Sequence, residues 1–172
     1  MRHLDDAIRR ASGGTADGYV RMRTLMANAI VAQMLPDGVV KDGSAVRMRF
    51  GSGATRYTTD LDTATANDPD EYAAMLSEAL TEGWEGFTGR VVRRDPAAPA
   101  GIPGEYVMRP FDVKLSYLGK PWCTVPLEVG FDEIGDADQA DVTSQTEASN
   151  ALERLGFPAV GDVALMDLCY QV

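Results

Sequence analysis

The spacing of apolar and polar residues changes several times along this chain, and each change predicts an element. Residues 3–11 carry a short amphipathic pattern that predicts a helix, and Ser12-Gly13-Gly14-Thr15 breaks it. A second helix is expected over about 16–35, with Val20, Leu25, Ile30 and Val31 among its apolar positions and Arg21 and Arg23 on a more polar side. Met22, Met26 and Met34 read as core filling. Pro36-Asp37-Gly38 is a turn signal, and Val39-Val40 open a first strand that runs into Gly43-Ser44. Residues 44–50 predict a short helix, Gly51-Ser52-Gly53 a link, and residues 56–63 a second strand.

The next helix has the clearest boundaries. Asn67 or Asp68 can cap it, Pro69 suits its first position, and Asp70 and Glu71 suit the positive end of its dipole. It continues to about Glu82 and stops at Gly83. Trp84 and Phe87 read as core residues, and residues 86–94 as a strand. Pro96, Pro99 and Pro103 mark an irregular loop, read as a plain linker rather than a lid. Tyr106 to Tyr117 predicts a strand or a pair of short strands, and Leu118-Gly119-Lys120-Pro121 a turn. Trp122 to Phe131 predicts a strand whose alternation puts Cys123, Val125, Leu127 and Val129 on one face and Glu128 on the other. Pro126 implies an edge position or a bulge. Asp132, Glu133, Asp136, Asp138 and Asp141 form an acidic run that lacks the central Gly and final Glu of an EF-hand, so it reads as a solvated loop. Residues 144–155 look helical up to Gly156, Pro158 to Met166 is a last strand, and residues 167–172 begin something helical.

Composition narrows the class. The 172 residues, 45% of them hydrophobic, suffice for one domain with its own core. No apolar run approaches the ~20 residues that span a membrane, and Met1-Arg2-His3-Leu4-Asp5-Asp6 lacks the shape of a signal peptide, so no membrane association and a cytoplasmic location are expected. Cys123 and Cys169 lack paired spacing and read as reduced core residues. His3 is the only histidine, which argues against a histidine-based triad and a histidine-rich metal site. The net charge is -10, but it is uneven. Residues 1–67 hold nine Lys/Arg against seven Asp/Glu, whereas residues 68–172 hold seven against nineteen. The first part is mildly basic and is compatible with an RNA partner, although the charge alone does not demand one.

Candidate chemistry lies in that basic part. Asp60 and Asp62 are two residues apart, which in a strand puts both carboxylates on one face. Adjacent carboxylates repel each other, and a bound divalent cation offsets the repulsion. Mg²⁺ favours oxygen ligands, commonly one or two carboxylates together with substrate phosphates. Gly43 lets a backbone come close to a phosphate, and Ser44 offers a hydroxyl at a helix start where N–H groups are unpaired. Arg47 and Arg49 either meet phosphate oxygens or are surface charge. Together these features suggest metal-assisted chemistry on a nucleoside triphosphate.

Lys41-Asp42-Gly43-Ser44-Ala45-Val46-Arg47, followed after a spacer by Arg56-Tyr57-Thr58-Thr59-Asp60-Leu61-Asp62, resembles the AbiEii/AbiGii toxin family within the polymerase-beta-type nucleotidyltransferase superfamily. The family pattern runs roughly Lys-Gly-Gly-Thr-Ala-Leu-Arg, then Arg-Phe-Ser-x-Asp-Leu-Asp. Asp42 departs from it by replacing the first glycine, which puts a charge near the phosphate turn.

The resemblance implies an α/β (α+β), nucleotidyltransferase-like fold: a mixed, twisted sheet flanked by helices, with the Gly-Ser turn and the carboxylates at one edge. It implies that Asp60, Asp62 and Glu128 are catalytic and bind Mg²⁺, with Asp132 the alternative third carboxylate. Lys41, Gly43, Ser44, Arg47 and Arg56 are the implied nucleotide-binding residues. Arg56 either neutralises developing charge or pairs with Asp60 or Asp62. Related toxins, including the MenT group, transfer nucleotides to tRNA acceptor ends and are paired with an antitoxin, so a nucleoside triphosphate, tRNA and a cognate antitoxin are the implied partners. The family's later lysine-bearing helix and Arg/Lys-Asp element match no position here. The expectation is a single domain over 1–172 lacking a C-terminal helical half. The rival readings are a small-molecule nucleotidyltransferase and a catalytically weak module that binds nucleotide or antitoxin.

Overall fold

The structure is a computed structural model that describes residues 2–51, 53, 58–96, 107–131 and 140–170. Helices α1 (Arg2–Ala11) and α2 (Ala16–Ala32) come first, then strand β1 (Val39–Val40), helix α3 (Asp42–Phe50), strand β2 (Leu61–Thr65) and helix α4 (Pro69–Glu82). Strands β3 (Phe87–Arg93), β4 (Arg109–Tyr117), β5 (Lys120–Phe131) and β6 (Asp141–Thr143), helix α5 (Thr146–Glu153) and strand β7 (Val163–Leu165) complete the chain. One helical turn follows at Leu168–Tyr170.

Local chemistry sets several of these boundaries. Thr15 caps α2 by accepting from the Gly18 N–H. Asp68 caps α4 by accepting from the N–H groups of Asp70 and Glu71, at 2.8 and 3.3 Å. Gly83 ends α4 at φ +78°, where a Cβ would lie 2.2 Å from the Phe87 carbonyl oxygen, so only glycine fits there. Leu118 and Gly119 both have positive φ, which makes the β4–β5 connection a two-residue hairpin turn tighter than the expected 118–121.

The seven strands form one mixed sheet in the order β3-β4-β5-β2-β1-β7-β6. The β2–β5 and β1–β7 pairs are parallel and the others antiparallel. All five helices contribute to one large buried cluster against one sheet face, where they meet Leu61, Phe111, Val113, Val125, Leu127 and Val129. Each such aliphatic residue contributes roughly 1.5–3 kcal/mol by leaving water. On the other side of the sheet is a small cluster of Val39, Ala64 and Met166. The carboxylate-bearing strands β2 and β5 are central rather than at one edge, because long-range pairing brackets them on both sides.

Other expectations need correction. Strand β2 begins at Leu61 instead of residue 56, so Asp60 precedes it. Helix α2 ends at Ala32, α3 starts two residues before Ser44, and the last strand is limited to Val163–Leu165. Val20 is 48% exposed although it belongs to an apolar pattern. Strand β5 is interior, yet Pro126 sits one residue before Leu127, where β2 first pairs with β5. Its missing N–H therefore breaks no bond to β2. The bulge lies instead where Leu115 and Ser116 face Cys123 and Pro121. Asp141 belongs to β6 rather than a loop. Cys169 is exposed, whereas Cys123 is half-buried and its thiol is pushed up to about 12 by burial. Arg56, Pro99, Pro103, Tyr106, Asp132, Glu133, Asp136 and Asp138 lie outside the described residues. Among the described residues no helix is long and apolar enough to cross a membrane.

Candidate active site

The β1–α3 junction and the strands β2 and β5 bring the charged residues together. Val40 accepts from the Met166 N–H and the Lys41 N–H donates to the Asp62 carbonyl at 2.8 Å, which locks Lys41 beside β2. Asp62 and Glu128 are register partners in the parallel β2–β5 pair. Parallel partners project to the same side, and here that side is opposite the buried Leu61 and Leu127. Gly130 leaves room on β5 for the Lys41 side chain, whose Nζ lies 3.6 Å from where a Cβ on that glycine would be. A mixed-charge cluster of Lys41, Asp42, Asp60, Asp62 and Glu128 results.

Its electrostatics are legible in Asp62. Burial first, then the charges of Asp42, Glu128 and Asp60, push its carboxyl from 3.8 up to about 6, and Lys41 opposes them. A cation would relieve this repulsion, and a donor set made only of carboxylate oxygens suits a hard divalent ion such as Mg²⁺. Among the described residues no three acidic, cysteine or histidine side chains are already drawn close enough to hold an ion together. Binding by Asp60, Asp62 and Glu128 therefore requires their side chains to converge.

Asp42 carries a conformational cost as well as a charge. Its φ is +53°, in the left-handed region that glycine favours, at the position where the resembled pattern has glycine. Its carboxylate is 3.6 Å from Lys41 Nζ, but the side chain is 59% exposed, so this pair contributes little. Asp42→Gly is expected to stabilise the fold by up to about 1 kcal/mol. It should also lower the Asp62 pKa, because one of the charges that raises it is gone. Urea denaturation checks the first effect and an NMR titration of the Asp62 carboxyl the second; an unchanged Asp62 titration would contradict this electrostatic coupling.

The Gly43-Ser44 turn is more engaged than its sequence suggests. A Cβ on Gly43 would lie 3.0 Å from Thr58 Oγ1, so the side chain beside this glycine is Thr58. Ser44 is buried and its hydroxyl donates to the Asp60 carbonyl at 2.5 Å. Arg47 is also buried and its Nη1 donates to the Thr58 carbonyl at 3.0 Å. Arg49 bonds Asp141 at 2.9 Å and the Met166 carbonyl at 3.1 Å, which ties α3 to β6 and the end of β7. Both arginines thus hold protein groups, so neither is plain surface charge. Asn28 was missed: its Nδ2 donates to the Thr59 carbonyl at 3.5 Å. Its signal is present in the sequence, as the one polar residue in the buried run from Met26 to Ala32.

No family model matches the chain, and neither does any curated protein. Among solved structures it is similar to a candidate nucleotidyltransferase from H. pylori, with TM-score 0.44 and 13% identity over 87% of this chain and 53% of that one. It is also similar to JHP933 from Helicobacter pylori, with TM-score 0.45 and 12% identity over 87% of this chain and 52% of that one. The chain spans about half the length of these two structures.

Proposed function

We propose that the chain is a Mg²⁺-dependent nucleotidyltransferase of the toxin-antitoxin type, which transfers a nucleotide from a nucleoside triphosphate to an RNA acceptor, tRNA being the proposed one, and so blocks translation. The observation that carries the proposal is the in-register pair Asp62–Glu128 on the sheet side opposite the buried Leu61 and Leu127, with Asp60 at the entry to β2 and the start of α3 alongside. The likeness of the Lys41–Arg47 and Arg56–Asp62 segments to AbiEii/AbiGii toxins supports the toxin class, a cytoplasmic location and a cognate antitoxin.

Asp60, Asp62 and Glu128 would hold Mg²⁺, which when bound supplies charge neutralisation at the triphosphate and activation of the attacking hydroxyl. The backbone N–H groups of Gly43 and Ser44, at the start of α3, would bind terminal phosphate oxygens, and Lys41 would add a cation. Arg56 is assigned to the charge on the departing pyrophosphate. The chain's contribution is positioning and charge complementarity, with no protein nucleophile. The half-buried Cys123 thiol, pushed up to about 12, is unsuited to that role.

Incubation with each α-labelled triphosphate, Mg²⁺ and total tRNA tests the proposal. Label is expected on tRNA with the unaltered protein and absent with Asp62→Asn. Label on an added small-molecule alcohol instead would redirect the acceptor. A second reading, a catalytically weak nucleotide- or antitoxin-binding module, is favoured by Thr58 against Gly43 and by the committed Ser44 hydroxyl. Metal-dependent nucleotide binding with no transfer to any acceptor would select it.

A further inference from the structure

We propose that Asn28, Ser44 and Arg47 are positioning residues that present the Asp60 carboxylate for cation binding, an inference that rests on the metal-site reading above. Three consecutive carbonyls, those of Thr58, Thr59 and Asp60, each accept a hydrogen bond from a different helix side chain: Arg47, Asn28 and Ser44 respectively. All three donors are buried, at 7, 7 and 4% exposure.

This segment needs such support because the sheet does not hold it. Strand β2 begins at Leu61, whose partner on β5 is Leu127. The β5 residue level with Asp60 is therefore Pro126, which has no N–H to donate. Two helices supply the hydrogen bonds that a ladder supplies elsewhere. The grip extends to the carboxylate itself, because the Thr59 hydroxyl donates to Asp60 Oδ1 while the Thr59 carbonyl is held by Asn28.

These donors are expensive to keep. Burying a guanidinium carries a large desolvation cost. Asn28 Oδ1 is buried with no hydrogen-bond partner among the described residues, a cost that an apolar side chain would not carry. Only six polar or charged side chains are buried among the described residues, and three of them serve these three carbonyls. Ser149 makes a comparable serine-to-backbone connection, to Val160, far from the carboxylates in the chain, and it provides a control of purely structural kind.

The test is Mn²⁺ binding to the full chain, followed by electron paramagnetic resonance, with hydrogen exchange of residues 58–61 as a metal-free readout. Ser44→Ala and Asn28→Leu are expected to weaken Mn²⁺ binding about 10–100-fold, the range found for groups that orient metal ligands. Both should speed exchange in that segment while retaining a cooperative thermal transition. Ser44→Thr, which keeps the hydroxyl donor, should restore most of the affinity. Ser149→Ala should lower the melting temperature and leave Mn²⁺ affinity unchanged. Two positioning variants that bind Mn²⁺ like the parent, or an equal loss in Ser149→Ala, would overturn the inference alone. A parent chain that binds no Mn²⁺ would overturn the metal site and the inference with it, whatever the exchange data show.

Discussion

Asp62→Asn is expected to reduce nucleotide transfer by more than about 100-fold, since altering even the groups that orient metal ligands costs about 10–100-fold. The same substitution should make the metal-free fold more stable at neutral pH. In the folded chain the Asp62 carboxyl titrates at about 6 rather than 3.8, owing first to burial and then to Asp42, Glu128 and Asp60. Between those two values the folded chain holds a proton that the unfolded chain releases, so this group's contribution to stability falls as pH rises through the window. Below the window both states are protonated and the contribution vanishes; above it the penalty is complete. With allowance for partial exposure, it amounts to on the order of 2 kcal/mol. Asparagine has nearly the same shape and no charge, so the difference between the two proteins isolates the electrostatics. Paired urea denaturations with EDTA at pH 4 and pH 7.5 should show similar stabilities at the lower pH and the variant ahead at the higher. A gap independent of pH would mean that Asp62 is not under electrostatic strain. Added Mg²⁺ should stabilise the parent and leave the variant nearly unchanged, because only the parent gains a ligand that offsets the repulsion.

Phe87→Ala is expected to cost about 3–5 kcal/mol of stability, against the 5–15 kcal/mol that holds a typical domain together. Phe87 has no exposed surface and opens β3. Its ring centroid lies 4.6 Å from that of Tyr117, 5.1 Å from Trp122, 5.3 Å from Phe157 and 6.4 Å from Trp84. Removing it opens a cavity between segments far apart in sequence, which cannot all move inward together. The loss also reaches α1, since the Trp122 indole and the Tyr19 hydroxyl both donate to Asp5. A urea titration would read the effect as a lowered midpoint with an unchanged slope. A loss under about 1 kcal/mol would show that the aromatic cluster repacks, contrary to a close-packed core. Strand β3 is an edge strand two places from β5, so residual folded protein should keep the affinity of the carboxylate site for Mn²⁺.

Elements whose determinants are local were legible before any fold was known. Helix α4 begins at Asp68-Pro69 and ends at Gly83 because a cap, a fixed φ and a positive φ each act within a few residues. The alternation of β5 identified Val125, Leu127 and Val129 as core, and Glu128 as the residue on the other face. The pair Asp60 and Asp62 was legible as a candidate carboxylate motif, since spacing and charge are properties of the chain itself.

What surrounds those residues was decided by contacts between distant segments. Strand periodicity placed Asp60 and Asp62 on one face of a strand, yet β2 starts only at Leu61, because its ladder depends on where β5 begins to pair. Arg47 and Arg49 read as phosphate ligands or surface charge, and became supports, Arg47 a buried one, only when Thr58, Asp141 and Met166 arrived beside them. Val20 fits an apolar helical stripe but remains exposed, as periodicity marks a face without saying whether anything covers it. The amino-acid sequence by itself therefore determined most of the helices, the turn between β4 and β5 and the acidic motif, through interactions of short range. Only the tertiary structure decided that Asp62 stands beside Glu128 and that helix side chains hold the approach to Asp60. Those relations depend on long-range pairing and burial, which no local pattern specifies.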